Sequence, residues 1–308
     1  MKLRKLSAKN RMWAILGILS IYCLLTVPAF SGDLEEVRQR GVLRHLGITY
    51  ANFVRETEHG MDGLDVELIQ LFAKHLGVRY ELVQTSWSEA FGDLTGENVQ
   101  PKDDNVVVTG KVPVLGDVLA NGLTILPWRE KVVRFSIPTF PTGVWLVARA
   151  DSPIKPIEPS GDIKTDIDRV KALLSGRSVL AMKGTCLDPE LYNLNQAGAQ
   201  IRLYTASQNL NDIAPAVIEG AAEATLLDVP DALVALQKWP GDIKIIGPIS
   251  SRQLMGVAFA KSSPDLLRVF NEFFRKCWTD GTYDRLVHKY YPSVYLYMGN
   301  FFDRQSLQ

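Results

Sequence analysis

Between Val42 and Val83 the apolar residues change their period twice, and nothing else in the chain constrains its fold as strongly. Val42 to Tyr50 reads as a strand running into a polar loop, Ala51 to Met61. From Gly63 the positions Leu64, Leu68, Phe72 and Leu76, with Ile69 and Ala73 beside them, recur at helical spacing; Asp65 and Glu67 suit the positive N-terminal end, and Gly77 stops the helix. Val78, Tyr80 and Leu82 then alternate with Arg79, Glu81 and Val83, the pattern of a strand with two unlike faces. Strand, helix and strand in this order specify an α/β lobe with a mostly parallel sheet.

The same alternation begins again further on. Ser178 to Met182 is a strand, Pro189 to Gln196 a helix, Ile201 to Thr205 a strand, Leu210 to Glu219 a helix, Ala224 to Leu227 a strand and Ala232 to Lys238 a helix. A chain of 308 residues exceeds what one core of ~100–200 residues fills, so two α/β lobes are expected. Residues Phe91 to Leu115 break the rhythm: Gly96 and Pro101-Lys102-Asp103-Asp104 read as a loop, and Val106 to Val112 as a small hairpin. Thr142 to Ala148 is an apolar strand, followed by a polar connection that carries Pro153, Pro156 and Pro159. Ile243 to Ile249 and Leu254 to Ala260 are strands, and Pro264 to Trp278 is an amphipathic helix before an aromatic tail, Tyr290 to Phe302.

Charge adds the compartment and excludes some partners. Lys2, Arg4, Lys5, Lys9 and Arg11 precede an apolar run, Met12 to Phe30, and Ala29-Phe30-Ser31 puts small residues three and one before a cut ahead of Gly32. Residues 1–31 are therefore expected to be a signal peptide, or an uncleaved anchor, and either delivers the rest to the periplasm. The 34 bases less these five leave 29 against 34 acids, so the working body is mildly acidic. Such a body gives no electrostatic reason to bind nucleic acid; a small-molecule ligand is the expectation. His45, His59, His75 and His288 are scattered without metal-ligand spacing, and there is no phosphate-binding glycine loop, dinucleotide fingerprint or nucleophile elbow. Neither a metal nor a cofactor is expected. Cys186 and Cys277 either pair or stay free.

Six ordered pieces carry a resemblance. Gly63-Leu64-Asp65-Val66-Glu67-Leu68 is followed by Asp117, by Thr124 seven residues later, by Arg129 five beyond that, and by Phe135-Ser136-Ile137-Pro138. Lys183-Gly184-Thr185-Cys186, Ala224-Thr225-Leu226-Leu227-Asp228 and Thr279-Asp280-Gly281-Thr282-Tyr283 complete the set. Together they resemble the bacterial extracellular solute-binding proteins of family 3, the polar amino-acid type served by ABC transporters. The resemblance covers roughly residues 38 to 292 and departs from the family pattern at Val114, at Cys186 in place of a second Thr, and in the long stretch from Trp87 to Asp117. The aromatic tail is also similar to that of the binding-protein-like module of membrane-bound lytic transglycosylases.

The resemblance implies a two-lobed periplasmic-binding-protein-like fold of type II, its α/β lobes joined by two crossing strands. Lobe one is placed at residues 33–145 plus 251–308 and lobe two at 146–250. It also implies a monomer that takes an amino acid or similar zwitterion and delivers it to an inner-membrane ABC transporter permease, with no bond made or broken. Two alternatives stand beside it, a sensory module and a dehydratase of the cyclohexadienyl type.

The chemistry of a zwitterion assigns roles. Arg129 offers a planar fork to the carboxylate, the hydroxyl and NH of Thr124 and the NH of Thr185 at a helix start add donors, Asp228 takes the ammonium, and the Gly122 carbonyl accepts another of its protons. Tyr50 and Cys186 complete the expected ligand-facing set, Tyr50 as a cleft-wall or stacking aromatic and Cys186 as a small-residue replacement. Asp228 and Thr185 also suit plain helix caps, and that alternative stays open on sequence alone.

Overall fold

The computed structural model describes residues 33–102, 105–207 and 209–303. The expected signal peptide or anchor, residues 1–31, and Asp103 and Asp104 of the expected loop lie outside the described residues. Sixteen strands are labelled in chain order. The first part of the chain gives β1 (Val42–Gly47), β2 (Arg55–Thr57), β3 (Gly60–Asp62), β4 (Arg79–Gln84), β5 (Glu97–Lys102), β6 (Asn105–Lys111), β7 (Val118–Leu119), β8 (Val133–Phe135) and β9 (Phe140–Thr142). Then come β10 (Val144–Arg149), β11 (Ser178–Ala181), β12 (Gln200–Leu203), β13 (Ala224–Asp228), β14 (Ile243–Pro248), β15 (Gln253–Met255) and β16 (Ala258–Ala260).

Ten of these build two five-stranded sheets, ordered β4-β1-β7-β16-β8 and β12-β11-β13-β10-β14. In the first, β1 pairs in parallel with β4 and β7, as strand-helix-strand order requires, while β16 runs antiparallel to β7 and β8. The second has parallel β11-β12 and β11-β13 pairs and an antiparallel β10 between β13 and β14. Both sheets are thus mixed, less parallel than the alternation alone implies, because β10 and β16 follow directly on β9 and β15 and so enter from the other sheet instead of through a strand-helix-strand crossover. The chain leaves the first sheet through β9 and returns through β15, and these two strands pair antiparallel, Gln253 opposite Thr142.

Local chemistry sets several boundaries. The helix Leu34–Arg40 is capped by the Asp33 side chain, which accepts from Leu34 N, and the helix Leu64–Leu76 ends on Gly77 at φ 74°. Its face of Leu64, Leu68, Ile69 and Phe72 is buried, and Phe72 packs edge-on to Phe270 of the helix Pro264–Thr279 at 5.1 Å. The aromatic tail folds back onto the same core: Tyr291 lies 4.9 Å from Phe53 and 5.1 Å from Phe140, and Phe302 stacks 6.1 Å from Trp278. Among the described residues no helix is long and apolar enough to cross a membrane.

Three segments differ from the sequence expectation, and one of them, Leu254 to Ala260, is not a single strand but β15 and β16, which lie in different sheets with a break at Gly256 and Val257. Gly96 to Lys102, expected as a loop, contributes β5, and the hairpin pairs it with β6 from Glu97–Lys111 inward, with Pro101 opposite Val106. Pro101 is tolerated because this two-stranded ribbon has no third strand to take its missing N–H. The helix expected over Pro189 to Gln196 is a single 3-10 turn, Pro189–Tyr192, closed by Asn193 at φ 52°. The core beneath Leu187 and Leu194 is reached in one tight turn, and Gly198 follows too soon for more.

Candidate functional site

Asp228 closes β13 and opens the helix Val229–Lys238. As the N-cap residue it would ordinarily accept from the helix N–H groups, yet its side chain makes no capping bond. Pro230 at the second helical position has removed one of those donors, and the carboxylate turns away from the helix. Its Oδ2 accepts from the Tyr50 hydroxyl at 3.1 Å and from the Cys186 thiol at 2.9 Å, while Oδ1 is buried without a partner. Tyr50 belongs to the first lobe, following β1, so its bond to Asp228 crosses between the two sheets. A second crossing bond runs from Ala51 N to Asn211 Oδ1, 2.9 Å.

Arg129 stands in the short helix Pro127–Glu130 and is 1% exposed, the largest fully buried side chain described. Its Nη1 donates to the Thr124 carbonyl at 2.8 Å and its Nε has no partner. The guanidinium lies within 5.9 Å of the ring centres of Trp87 and Phe91 and 5.3 Å from that of Trp128. Those ring faces hold the cation in place without neutralising it. Thr124, 1% exposed, joins an isolated bridge to Met255, and its hydroxyl is buried with no partner. Gly122 adopts φ +64°; its N–H donates to Asp65 Oδ2 at 2.7 Å, and an added Cβ would sit 2.4 Å from the Phe53 ring. Only glycine fits there.

Burial sets the electrostatics. Asp228 is raised from 3.8 to about 6, first by desolvation, against which the bonds from Cys186 and Tyr50 and the charge of Arg129 pull down. Burial pushes the Arg129 pKa down, and the Cys186 thiol is pushed well up by burial and by the Asp228 charge, so it acts as a proton donor to that carboxylate. Among the described residues neither Arg129 nor Asp228 is matched by an opposite charge in an ion pair. A buried charge without a counterion is costly, and the arrangement is one that an external charge of opposite sign would relieve.

Of the expected residues, the structure brings Tyr50, Cys186 and Asp228 into direct contact and joins Arg129 to Thr124. Thr185 differs from its expected role as a helix-start donor. It lies in a turn ahead of the 3-10 helix; its hydroxyl donates to the Met182 carbonyl and accepts from Leu187 N, and the helix itself is capped by Asp188. Pro189 fixes the helix start there, beyond Thr185. Tyr50 does not stack on a ligand-facing side alone: it donates to Asp228 and meets Trp87 edge-on at 5.8 Å. Cys186 and Cys277 are both buried free thiols.

Asp231 was not legible as a site residue. An acid in the first turn of a helix ordinarily serves the helix end, but Asp231 is 6% exposed with Oδ2 unpartnered, and its pKa is raised by burial and by the Asp228 charge. The only trace in the sequence is a second acid three residues after Asp228. The box around Arg129 was equally hidden as a unit, since Trp128 is the neighbour of Arg129 but Trp87 and Phe91 come from a separate stretch at the start of the helix Ala90–Thr95.

Comparison with known proteins places this geometry. Residues 114–293 match the bacterial extracellular solute-binding proteins, family 3. The L-cystine-binding protein TcyJ of Escherichia coli strain K12 is 28% identical over 289 residues, covering 90% of this chain and 94% of that protein. Membrane-bound lytic murein transglycosylase F of Desulfosudis oleivorans is 26% identical over 266 residues, covering 85% of this chain but 51% of its own. Among solved structures, a mutant of ArgBP from T. maritima superposes with a TM-score of 0.66 at 27% identity, covering 84% of this chain and 99% of its own. The ancestral amino acid-binding protein AncCDT-1, a precursor of cyclohexadienyl dehydratase, does so at 0.65 and 26%, with the same coverage. The two mixed sheets are the two lobes of a type II periplasmic-binding-protein fold. The match spans more than half of the chain, from Val114 through β13 to the helix Thr282–Tyr290, and on it the chain belongs to the bacterial extracellular solute-binding proteins, family 3.

Proposed function

We propose that the protein captures a free amino acid between its lobes in the periplasm and hands it to an ABC transporter. The observation that carries this reading is the pair of buried charges without an ion-pair partner, the Arg129 guanidinium from one lobe and the Asp228 carboxylate from the other, which feel each other's field without touching. An α-amino acid supplies the matching carboxylate and ammonium on one carbon. Arg129 takes the carboxylate with its free edge, the unpartnered Thr124 hydroxyl donates a further bond, and Asp228 Oδ1 accepts from the ammonium. The Gly122 carbonyl takes another ammonium proton and the Thr185 NH another carboxylate contact. Each charge-assisted bond contributes about 1.5–3 kcal/mol, so three or four outweigh the cost of ordering and leave the ~8 kcal/mol of a micromolar complex. Because the two ends are held from different lobes, ligand and closure favour each other. The lobes that close are residues 33–145 plus 251–308 and residues 146–250, hinged at β9 and β15.

Relatives that bind amino acids, TcyJ and ArgBP, support the ligand class. Calorimetric titration of the purified protein with the amino acids tests it. A saturable heat for one or a few of them is expected, and no heat for any of them sinks it. The AncCDT-1 likeness calls for the same protein to be incubated with a cyclohexadienyl acid, where formation of an aromatic product would replace the carrier with an enzyme. Uptake by a strain lacking the protein separates delivery from sensing.

A further inference from the structure

The hairpin of β5 and β6 is the part of the chain that the amino-acid reading leaves without a task. It is not far from the site. Gln100 and Pro101 of β5 form one wall of a groove of about 630 Å³ whose other wall is the turn Lys183-Gly184-Thr185 with Glu190, and whose floor is Trp128. A neighbouring recess of about 300 Å³ shares Gln100, Pro101, Trp128 and Thr185 and reaches inward to Trp87. Trp128 presents its ring to the Arg129 guanidinium, and Thr185 adjoins Cys186, which donates to Asp228. The groove therefore starts where the amino-acid grip ends. Pockets of ~300–1,000 Å³ hold molecules larger than a single small amino acid.

The charges at the outer end of the groove come as a matched pair. Lys183 Nζ donates to Glu190 Oε1 at 2.7 Å, and both side chains are more than half exposed. Such an exposed pair contributes at most about 1 kcal/mol, so each member exchanges its partner for a ligand group at little cost. Asp188, between them, is already engaged: its carboxylate accepts from Gly184 N and Glu190 N. A cation and an anion side by side are what a second α-amino-acid head requires, its carboxylate on Lys183 and its ammonium on Glu190. Lys183 precedes Cys186 by three positions, at most about 11 Å of extended chain, so a short flexible linker joins the two ends.

We infer that this groove is a second-head subsite, and that the ligand is a linear molecule with an α-amino-acid group at each end. The inference rests on the Arg129 and Asp228 grip proposed above for the first head. The hairpin acts as the wall that turns a single-headed cleft into a two-headed one, with the linker lying along Trp128.

Titration calorimetry on the purified protein tests this with two-headed probes, L-cystine, L-cystathionine and meso-diaminopimelate, against the single-headed S-methyl-L-cysteine and L-norleucine. At least one two-headed probe is expected to bind about tenfold or more tightly than the single-headed ones. A variant carrying Lys183→Ala and Glu190→Gln is expected to lose about that factor for the two-headed probe alone, with single-headed affinity and melting temperature unchanged. Among the two-headed probes, the ranking distinguishes a disulfide from a thioether or hydrocarbon linker. Equal affinity for both classes, or a variant that weakens both classes alike or neither, overturns the subsite while leaving the first-head grip standing. If Arg129→Ala binds every probe as the parent does, or if no probe binds, the first-head reading falls and the subsite with it.

Discussion

Asp117, just ahead of β7, and Asp228, the last residue of β13, are both fully buried, but their surroundings are opposite. Asp117, ahead of β7, is met by Arg40 Nη2 at 2.6 Å, by Arg44 Nη2 at 2.7 Å and by Arg44 N at 2.9 Å. Two guanidinium groups and a backbone donor fill its acceptor sites, and the half-exposed arginines hold the lobe edge together. Asp228 receives a hydroxyl and a thiol, neither of them charged, and keeps one oxygen free. A fold that can surround one aspartate with arginines has left the other uncompensated. The physical lesson is that a buried charge already paired belongs to the scaffold, and a buried charge held by neutral donors is available to something outside the chain.

The sharpest way to break this contrast is to remove the charges one at a time. Asp228→Asn and Arg129→Ala are each expected to weaken amino-acid binding by about 100-fold, equivalent to roughly 3 kcal/mol, by calorimetry. Asp228→Asn is not expected to lower the melting temperature of the ligand-free protein, because it removes a buried charge at constant shape, whereas Arg129→Ala also leaves a cavity among Trp87, Phe91 and Trp128 and is expected to lower it. Asp117→Asn is expected to do the reverse of Asp228→Asn, costing about 3 kcal/mol in denaturant unfolding and leaving affinity within about twofold. If Asp117→Asn abolished binding, or Asp228→Asn unfolded the protein, the division between scaffold and site would be wrong.

Acidity sharpens the same comparison. With its carboxyl buried as here, Asp228 takes up a proton below about 6. An ammonium needs the ionised carboxylate, so binding releases that proton, and affinity is expected to fall by up to about tenfold per pH unit as pH drops from about 6 toward 4. Ligand-free stability runs the other way. The folded value lies above the unfolded 3.8, so this group's contribution is fully present below 3.8 and is lost as pH rises through about 6. Titrations at pH 7.5, 6, 5 and 4.5 on the parent and Asp228→Asn check both signs, the variant giving a flatter affinity profile. The smallest effect is expected from Tyr50→Phe, which removes one hydrogen bond from Asp228 and should weaken binding about fivefold, or ~1 kcal/mol.

Much of this was legible because it is local. The strand-helix-strand order from Val42 to Gln84, the Gly77 stop, and the ordered spacing of Asp117, Thr124 and Arg129 need only the residues beside them. The Thr185 turn was misread because its neighbour Pro189, and not the Gly-Thr pair, fixes where the helix begins. The hairpin partner β5 was hidden because Val99 is the one β-branched residue in a strand otherwise of Glu, Asn, Gln, Pro and Lys, too little to show an alternating apolar face, and the strand is held by the ladder it forms with β6.

The sequence by itself determined two α/β blocks and an acidic body, since period and composition are read directly along the chain, whereas the choice of Arg129 and Asp228 came from the resemblance to the family. Only the tertiary structure decided whether Asp228 caps its helix or faces Tyr50, a residue 178 positions away, and whether Trp87 and Phe91, from a distant stretch, would join Trp128 around Arg129. A carboxylate's partner is chosen by which groups share its small volume once water is expelled, and that is settled by packing between distant segments.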